Sequence, residues 1–107
     1  MFEFVPETSV HALARFAKEE RRFGLIFIDD NHKFDAVSVD FALASLVCEL
    51  GGYIILDDMW MPSTQRAASF IRLNRPDFTE VPTKAPRLAV FRKTDCDKRR
   101  WDHFVRF

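Results

Sequence analysis

Two short apolar runs, Leu25-Ile26-Phe27-Ile28 and Tyr53-Ile54-Ile55-Leu56, each end in a pair of aspartates, Asp29-Asp30 and Asp57-Asp58. Runs of this length and composition predict β-strands, over Leu25–Asp29 and over residues 53–57. Between them Phe34, Val37, Phe41, Ala44 and Cys48 recur every three or four positions, which predicts a helix from about Phe34 to Glu49. Gly51-Gly52 ends that helix and opens the second strand. Strand, helix, strand implies a right-handed crossover and parallel neighbours. Both aspartate pairs then fall at one edge of the sheet, about 5 Å apart.

The flanking segments extend the alternation. Residues 2–5 form a short apolar run stopped by Pro6, consistent with a strand. Thr8 or Ser9 can cap a helix running to about Arg22, with Val10, Leu13, Ala14 and Ala17 as its apolar stripe and Gly24 at the reversal after it. Pro62 suits the first turn of a third helix, whose face is Ala67, Phe70, Ile71 and Asn74 and whose stop is Pro76. Phe78–Val81 and Leu88–Arg92 read as strands, and the linker 82–86 is too short for a crossover helix, so they should pair antiparallel. Trp101, Phe104, Val105 and Phe107 punctuate a charged tail over 94–107, which should dock. The predicted class is α/β, β-α-β-α-β-α-β-β, with a mixed sheet that ends in an antiparallel hairpin.

The 107 residues suffice for one domain with a modest core. Sixteen basic and sixteen acidic residues cancel, so no global field argues for nucleic acid or an anionic membrane. The cluster Lys98-Arg99-Arg100 has no accompanying nucleic-acid motif and reads as a solvated tail. Cys48 and Cys96 lie in no metal-type spacing and make no disulfide scaffold; Cys48 should be a reduced core thiol. The first residues lack the features of a signal peptide and no run is long enough to span a bilayer, so a cytoplasmic location is expected. Twelve Phe against one Tyr favour burial, or an interface, over polar recognition.

Chemistry concentrates at the predicted edge. Open α/β sheets bind ligands there, and four carboxylates with His32 at one such edge carry an electrostatic cost. Two readings remain open for them. Asp30 or Asn31 can cap the second helix while Asp57 or Asp58 satisfies loop amides, or the carboxylates can form a site. Trp60 and Met61 follow the second pair and suit either a pocket lining or the core.

The order of elements, with its closing hairpin, resembles the second half of a class I S-adenosylmethionine-dependent methyltransferase, in the small-molecule O-methyltransferase-like branch. The segment from Phe23 to His32 is similar to the family's phrase FDLIFIDGNH. Phe34-Asp35-Ala36-Val37 with Asp40 resembles YEAVxxD, and Leu50 to Asp58 resembles LKPGGxIVxDD. Met61-Pro62 leading to Arg66-Ala67 resembles the helix start that follows. The likeness runs from about residue 2 to residue 93.

That resemblance implies a Rossmann-like methyltransferase half-fold and a divalent cation held by Asp29, Asp57 and Asp58; His32 beside them reads either as a general base or as a hydrogen-bonded loop histidine. Carboxylates without soft donors suit Mg²⁺, Mn²⁺ or Ca²⁺, and a cation would orient and acidify a substrate hydroxyl. Thr8-Ser9 matches the family's DS, which makes Ser9 the cofactor-binding candidate, with Thr8 in place of the aspartate. The family's glycine-rich loop has no counterpart among Gly24, Gly51 and Gly52. The resemblance therefore implies a domain without the front half of the fold, one that binds S-adenosylmethionine weakly or not at all by itself. Three functions compete: a methyltransferase-derived domain, a non-catalytic binding or oligomerisation module on the same fold, and a receiver-like phosphoacceptor. The closing hairpin disfavours the last. Unless strand 2–5 closes it, an uncovered edge at residues 25–28 predicts a homodimer or larger oligomer that buries this edge or the Phe-rich tail 101–107.

Overall fold

The computed structural model describes residues 9–29 and 33–107, with Ser9 and Val10 described by backbone alone. Strand 2–5 and residues Asp30, Asn31 and His32 lie outside the described residues. Seven elements follow in order: α1 (Ser9–Lys18), β1 (Phe23–Ile28), α2 (Phe34–Val47), β2 (Cys48–Leu56), α3 (Pro62–Asn74), β3 (Phe78–Val81) and β4 (Ala89–Lys93).

The four strands form one sheet in the order β1-β2-β4-β3. β1 and β2 are parallel, with Leu25 opposite Tyr53 and Ile28 opposite Leu56. β4 inserts antiparallel between β2 and β3, with Tyr53 opposite Arg92 and Leu56 opposite Ala89. The sheet is thus an α/β arrangement with a parallel start and an antiparallel hairpin, the architecture the pattern predicts.

One face of the sheet carries the core. Ile28, Ile54, Leu56, Ala89, Phe91 and Phe78 are buried there together with Val37, Phe41, Ala44 and Val47 of α2 and Ala67, Ala68 and Ile71 of α3. Phe41 is the pivot, with Phe78 at 5.1 Å and Phe91 at 6.4 Å between ring centroids. Alternate residues point the other way, and on β1 these leave Leu25 and Phe27 exposed.

Three local results differ from the sequence expectation. α1 stops at Lys18, where Glu20 takes the left-handed conformation (φ 58°) and Arg21 N–H reaches back to the Phe16 carbonyl at 3.0 Å. This is the helix-ending turn that glycine usually serves, made here without Gly24. On α1 the expected Leu13 is buried and Ala17 packs against the core, but Ala14 is exposed and Ala12 and Phe16 are buried, the Phe16 ring lying 5.0 Å from Phe23; the Val10 side chain lies outside the described residues. α2 ends at Val47, and Cys48 already belongs to β2, paired with Phe23. The Lys93 ammonium caps the helix end, donating to the Ser45 and Cys48 carbonyls at 2.8 and 3.1 Å.

The tail is anchored at two points. Asn74, buried on α3, donates to the Val105 carbonyl at 2.7 Å and accepts from the Val105 N–H at 2.6 Å. The Phe107 ring lies 5.2 Å from Phe70 and 6.1 Å from Phe34, with the Arg66 guanidinium over it. No described helix is long and apolar enough to cross a membrane.

Candidate functional site

β1 and β2 run parallel and end level, so the residues that follow them emerge side by side. The ladder extends one step beyond the strands, with the Asp57 N–H donating to the Ile28 carbonyl at 3.2 Å. Asp58 then turns into the left-handed region (φ 59°), a conformation that aspartate tolerates better than most residues. These constraints bring Asp29, Asp57 and Asp58 together, with one carboxylate oxygen from each lying within 4.8 Å of the others. His32 falls outside the described residues, and Ser9 is placed only as the first residue of α1.

A fourth side chain completes the cluster. Continuing the antiparallel register past Leu56 and Ala89 sets Asp58 opposite Arg87, and the Met59 N–H donates to the Arg87 carbonyl at 2.9 Å. The Arg87 guanidinium grips Asp57 with both ends, Nε to Oδ1 at 2.8 Å and Nη2 to Oδ2 at 2.9 Å, and reaches Asp58 Oδ1 at 3.3 Å. Asp57 Oδ1 also accepts the Asp58 N–H at 2.7 Å. Trp60, largely exposed, donates its indole N–H to Asp58 Oδ1 at 3.3 Å and stands as a wall beside the cluster.

The electrostatics divide the carboxylates. The Arg87 fork holds Asp57 below its ordinary value, aided by the Asp58 N–H. Asp29 is raised, first by desolvation and then by the charges of Asp57 and Asp58. Three carboxylates facing one guanidinium leave an excess of negative charge, which a proton on Asp29 or an added cation can neutralise. The donors are all hard oxygens. This set fits Mg²⁺, Mn²⁺ or Ca²⁺ and does not fit a soft metal.

The glycines sit elsewhere. Gly24 and Gly52 lie toward the opposite end of the β1–β2 pair, where the strands approach too closely for side chains. A Cβ on Gly52 would stand 2.9 Å from the Glu49 carbonyl and 3.0 Å from that of Gly24, and one on Gly24 would meet the Glu49 carboxylate at 2.8 Å. Gly51 supplies a positive φ of 86° within β2. All three lie within β1 and β2, so among the described residues no glycine stands in a loop that could cradle S-adenosylmethionine.

Comparison with known proteins identifies the family and the fold. A family model described as a methyltransferase domain matches residues 1–59, the stretch that carries all three aspartates. No curated protein matches the chain. Among solved structures it is similar to the MycE methyltransferase from the mycinamycin biosynthetic pathway in complex with Mg and SAH. In one crystal form of that enzyme the TM-score is 0.64 at 18% identity, covering 89% of this chain and 32% of the other. In a second form the values are 0.57 and 18%, covering 85% and 31%. At this identity the likeness shows the fold, and the chain spans about a third of the length of the structures it matches. With a family match over more than half of its residues, this chain belongs to the class I S-adenosylmethionine-dependent methyltransferases.

Proposed function

We propose that this chain is the cation-holding part of a small-molecule O-methyltransferase fold, and that it binds S-adenosylmethionine weakly or not at all by itself. The observation that carries the reading is the convergence of Asp29, Asp57 and Asp58 within 4.8 Å at the edge where parallel strands place ligands. A divalent cation bound there would polarise an acceptor hydroxyl and lower its pKa. Asp57 would anchor the cation from a buried position, with Asp29 and Asp58 closing from the more open side. Trp60 offers an exposed aromatic surface against which an acceptor can lie. The solved relative was crystallised with Mg and SAH, which supports both the cation and the cofactor class.

The test is thermal unfolding with and without Mg²⁺ or Mn²⁺, beside calorimetric titration with S-adenosylmethionine. Millimolar cation should raise the melting temperature by mass action, Asp57→Ala should remove the rise, and the cofactor titration should show no micromolar binding. Indifference to cations would return the carboxylates to capping and loop hydrogen bonding. Micromolar cofactor binding would make the isolated chain a cofactor-binding enzyme domain.

A second reading is favoured by a separate observation. β1 pairs only with β2 among the described strands, carries no charge or proline, and exposes Leu25 (56%) and Phe27 (50%). Unprotected edges of this kind invite pairing, which supports a non-catalytic oligomerisation module with a homodimer as its simplest form. Light scattering should then give a dimer mass that Phe27→Lys shifts toward monomer; a monomer mass across a wide concentration range would refute it.

A further inference from the structure

The Arg87 guanidinium engages both oxygens of the most buried carboxylate in the cluster, so a cation that ligates Asp57 meets a positive charge already in place. We propose that Arg87 is the resident counter-ion of the acidic edge, and that a divalent cation binds by exchange with it. This inference rests on the cation reading above and adds to it the residue that sets affinity.

Three observations carry it. The contact is a two-point fork on Asp57 with a third bond to Asp58, a charge-assisted geometry that occupies carboxylate oxygens a cation would ligate. The partners differ in burial: Asp57 and Asp58 side chains are 6% and 13% exposed, whereas that of Arg87 is 62% exposed. The arginine can therefore swing into water at small cost while the carboxylates stay where the strands hold them. Finally, Arg87 is placed by its backbone, whose carbonyl accepts the Met59 N–H, so its loop stays docked when the side chain leaves.

Exchange has a definite charge logic. With the guanidinium on Asp57, a dication is repelled across a few ångströms and lacks its best-anchored ligand. With the guanidinium swung out, the cation gains both. Arg87 thus sets a threshold concentration below which the edge stays closed by its own side chain. Once displaced, it stands exposed beside the cluster.

The experiment titrates Mg²⁺ and Mn²⁺ into the intact chain and into Arg87→Gln and Arg87→Lys, following melting temperature and, for Mn²⁺, the free-ion electron paramagnetic resonance signal. Arg87→Gln should bind up to about fivefold more tightly than the parent, the upper end of the range set by losing one exposed, bidentate ion pair. Arg87→Lys, which keeps the charge and loses the fork, should fall between the two. The parent provides a further readout that needs no variant: Mg²⁺ should shift the Arg87 Nε–H resonance and speed its exchange with water.

Equal affinities in parent and Arg87→Gln, with Arg87 Nε–H unmoved at saturating Mg²⁺, would overturn the exchange and leave the cation site standing. Absence of cation binding in every variant would overturn both. Should Arg87→Gln fail to fold, the Nε–H response of the parent decides the matter alone.

Discussion

Arg75 and Asp77 form an ion pair deep in the domain, and removing one partner gives a sharp test of what holds the β3 end together. Nε and Nη2 of Arg75 donate to the two Asp77 oxygens at 3.0 and 2.8 Å, with side chains 6% and 1% exposed. Asp77→Ala removes both hydrogen bonds of the fork and leaves the guanidinium inside the protein, a change that costs about 3–5 kcal/mol in comparable sites. Two features pull the figure toward the lower bound. The guanidinium keeps its positions over the Phe41 and Phe78 rings, 5.3 and 5.4 Å from their centroids, and Asp97 stands 4.0 Å away at the rim. The backbone carbonyl of Asp77 also survives substitution, and it accepts from the Thr94 N–H at 2.9 Å. We expect a loss of about 3 kcal/mol, a large share of the 5–15 kcal/mol typical of a domain. Urea unfolding followed by far-ultraviolet circular dichroism measures it, and with a slope of about 2 kcal/mol per molar the midpoint should fall by about 1.5 M. Arg75→Met with Asp77→Leu should recover most of the loss, because an apolar pair leaves no stranded charge. A single-variant cost below about 1 kcal/mol, or a double variant as damaged as the single, would refute the argument.

Two further outcomes follow from the tail and its charges. Asn74→Leu should free the segment around Val105 at a cost of about 1–3 kcal/mol for two lost hydrogen bonds, read as faster tryptic cleavage after Arg99 and Arg100; unchanged cleavage would show that the Phe107 contacts suffice. Stability should fall as pH drops through the carboxylate range: Arg99 holds Asp97 well below its ordinary value, Arg87 does so for Asp57, and the Cys96 N–H does so for Asp95. A depressed folded-state pKa contributes stability above the unfolded value and loses it as pH falls toward the folded one. Asp29, which is raised, works the other way, its contribution fading as pH rises through its folded value. Melting temperature against pH should therefore decline on the acid side, and Asp97→Asn should flatten that decline.

Legibility in the sequence tracked the strength of local punctuation. Pro62 and Pro76 bracket α3, and the structure places it at Pro62–Asn74. The short linker after Val81 made the antiparallel hairpin readable from length alone. The α2–β2 boundary was not readable, because Ala44-Ser45-Leu46-Val47-Cys48 contains no charge, glycine or proline and fits helix or strand equally. Pairing of Cys48 with Phe23, a tertiary contact, decided it. The convergence of the aspartates followed from strand, helix, strand topology. Arg87 escaped notice because it lies in a linker, and nothing local marks it. The one signal was register: with Leu56 opposite Ala89, the position facing Asp58 is residue 87.

The order β1-β2-β4-β3 has a consequence for how the chain is made. A ribosome delivers Phe78–Val81 before Ala89–Lys93, yet the earlier strand touches the sheet only through the later one. Until residue 93 emerges, the newly made β2 has a vacant hydrogen-bonding side, and the nascent Tyr53–Leu56 segment offers it to any passing strand. The pair Arg75 and Asp77, already synthesised, can hold the start of β3 against α3 during that interval. A chain truncated after residue 88 should then aggregate faster than one truncated after residue 93.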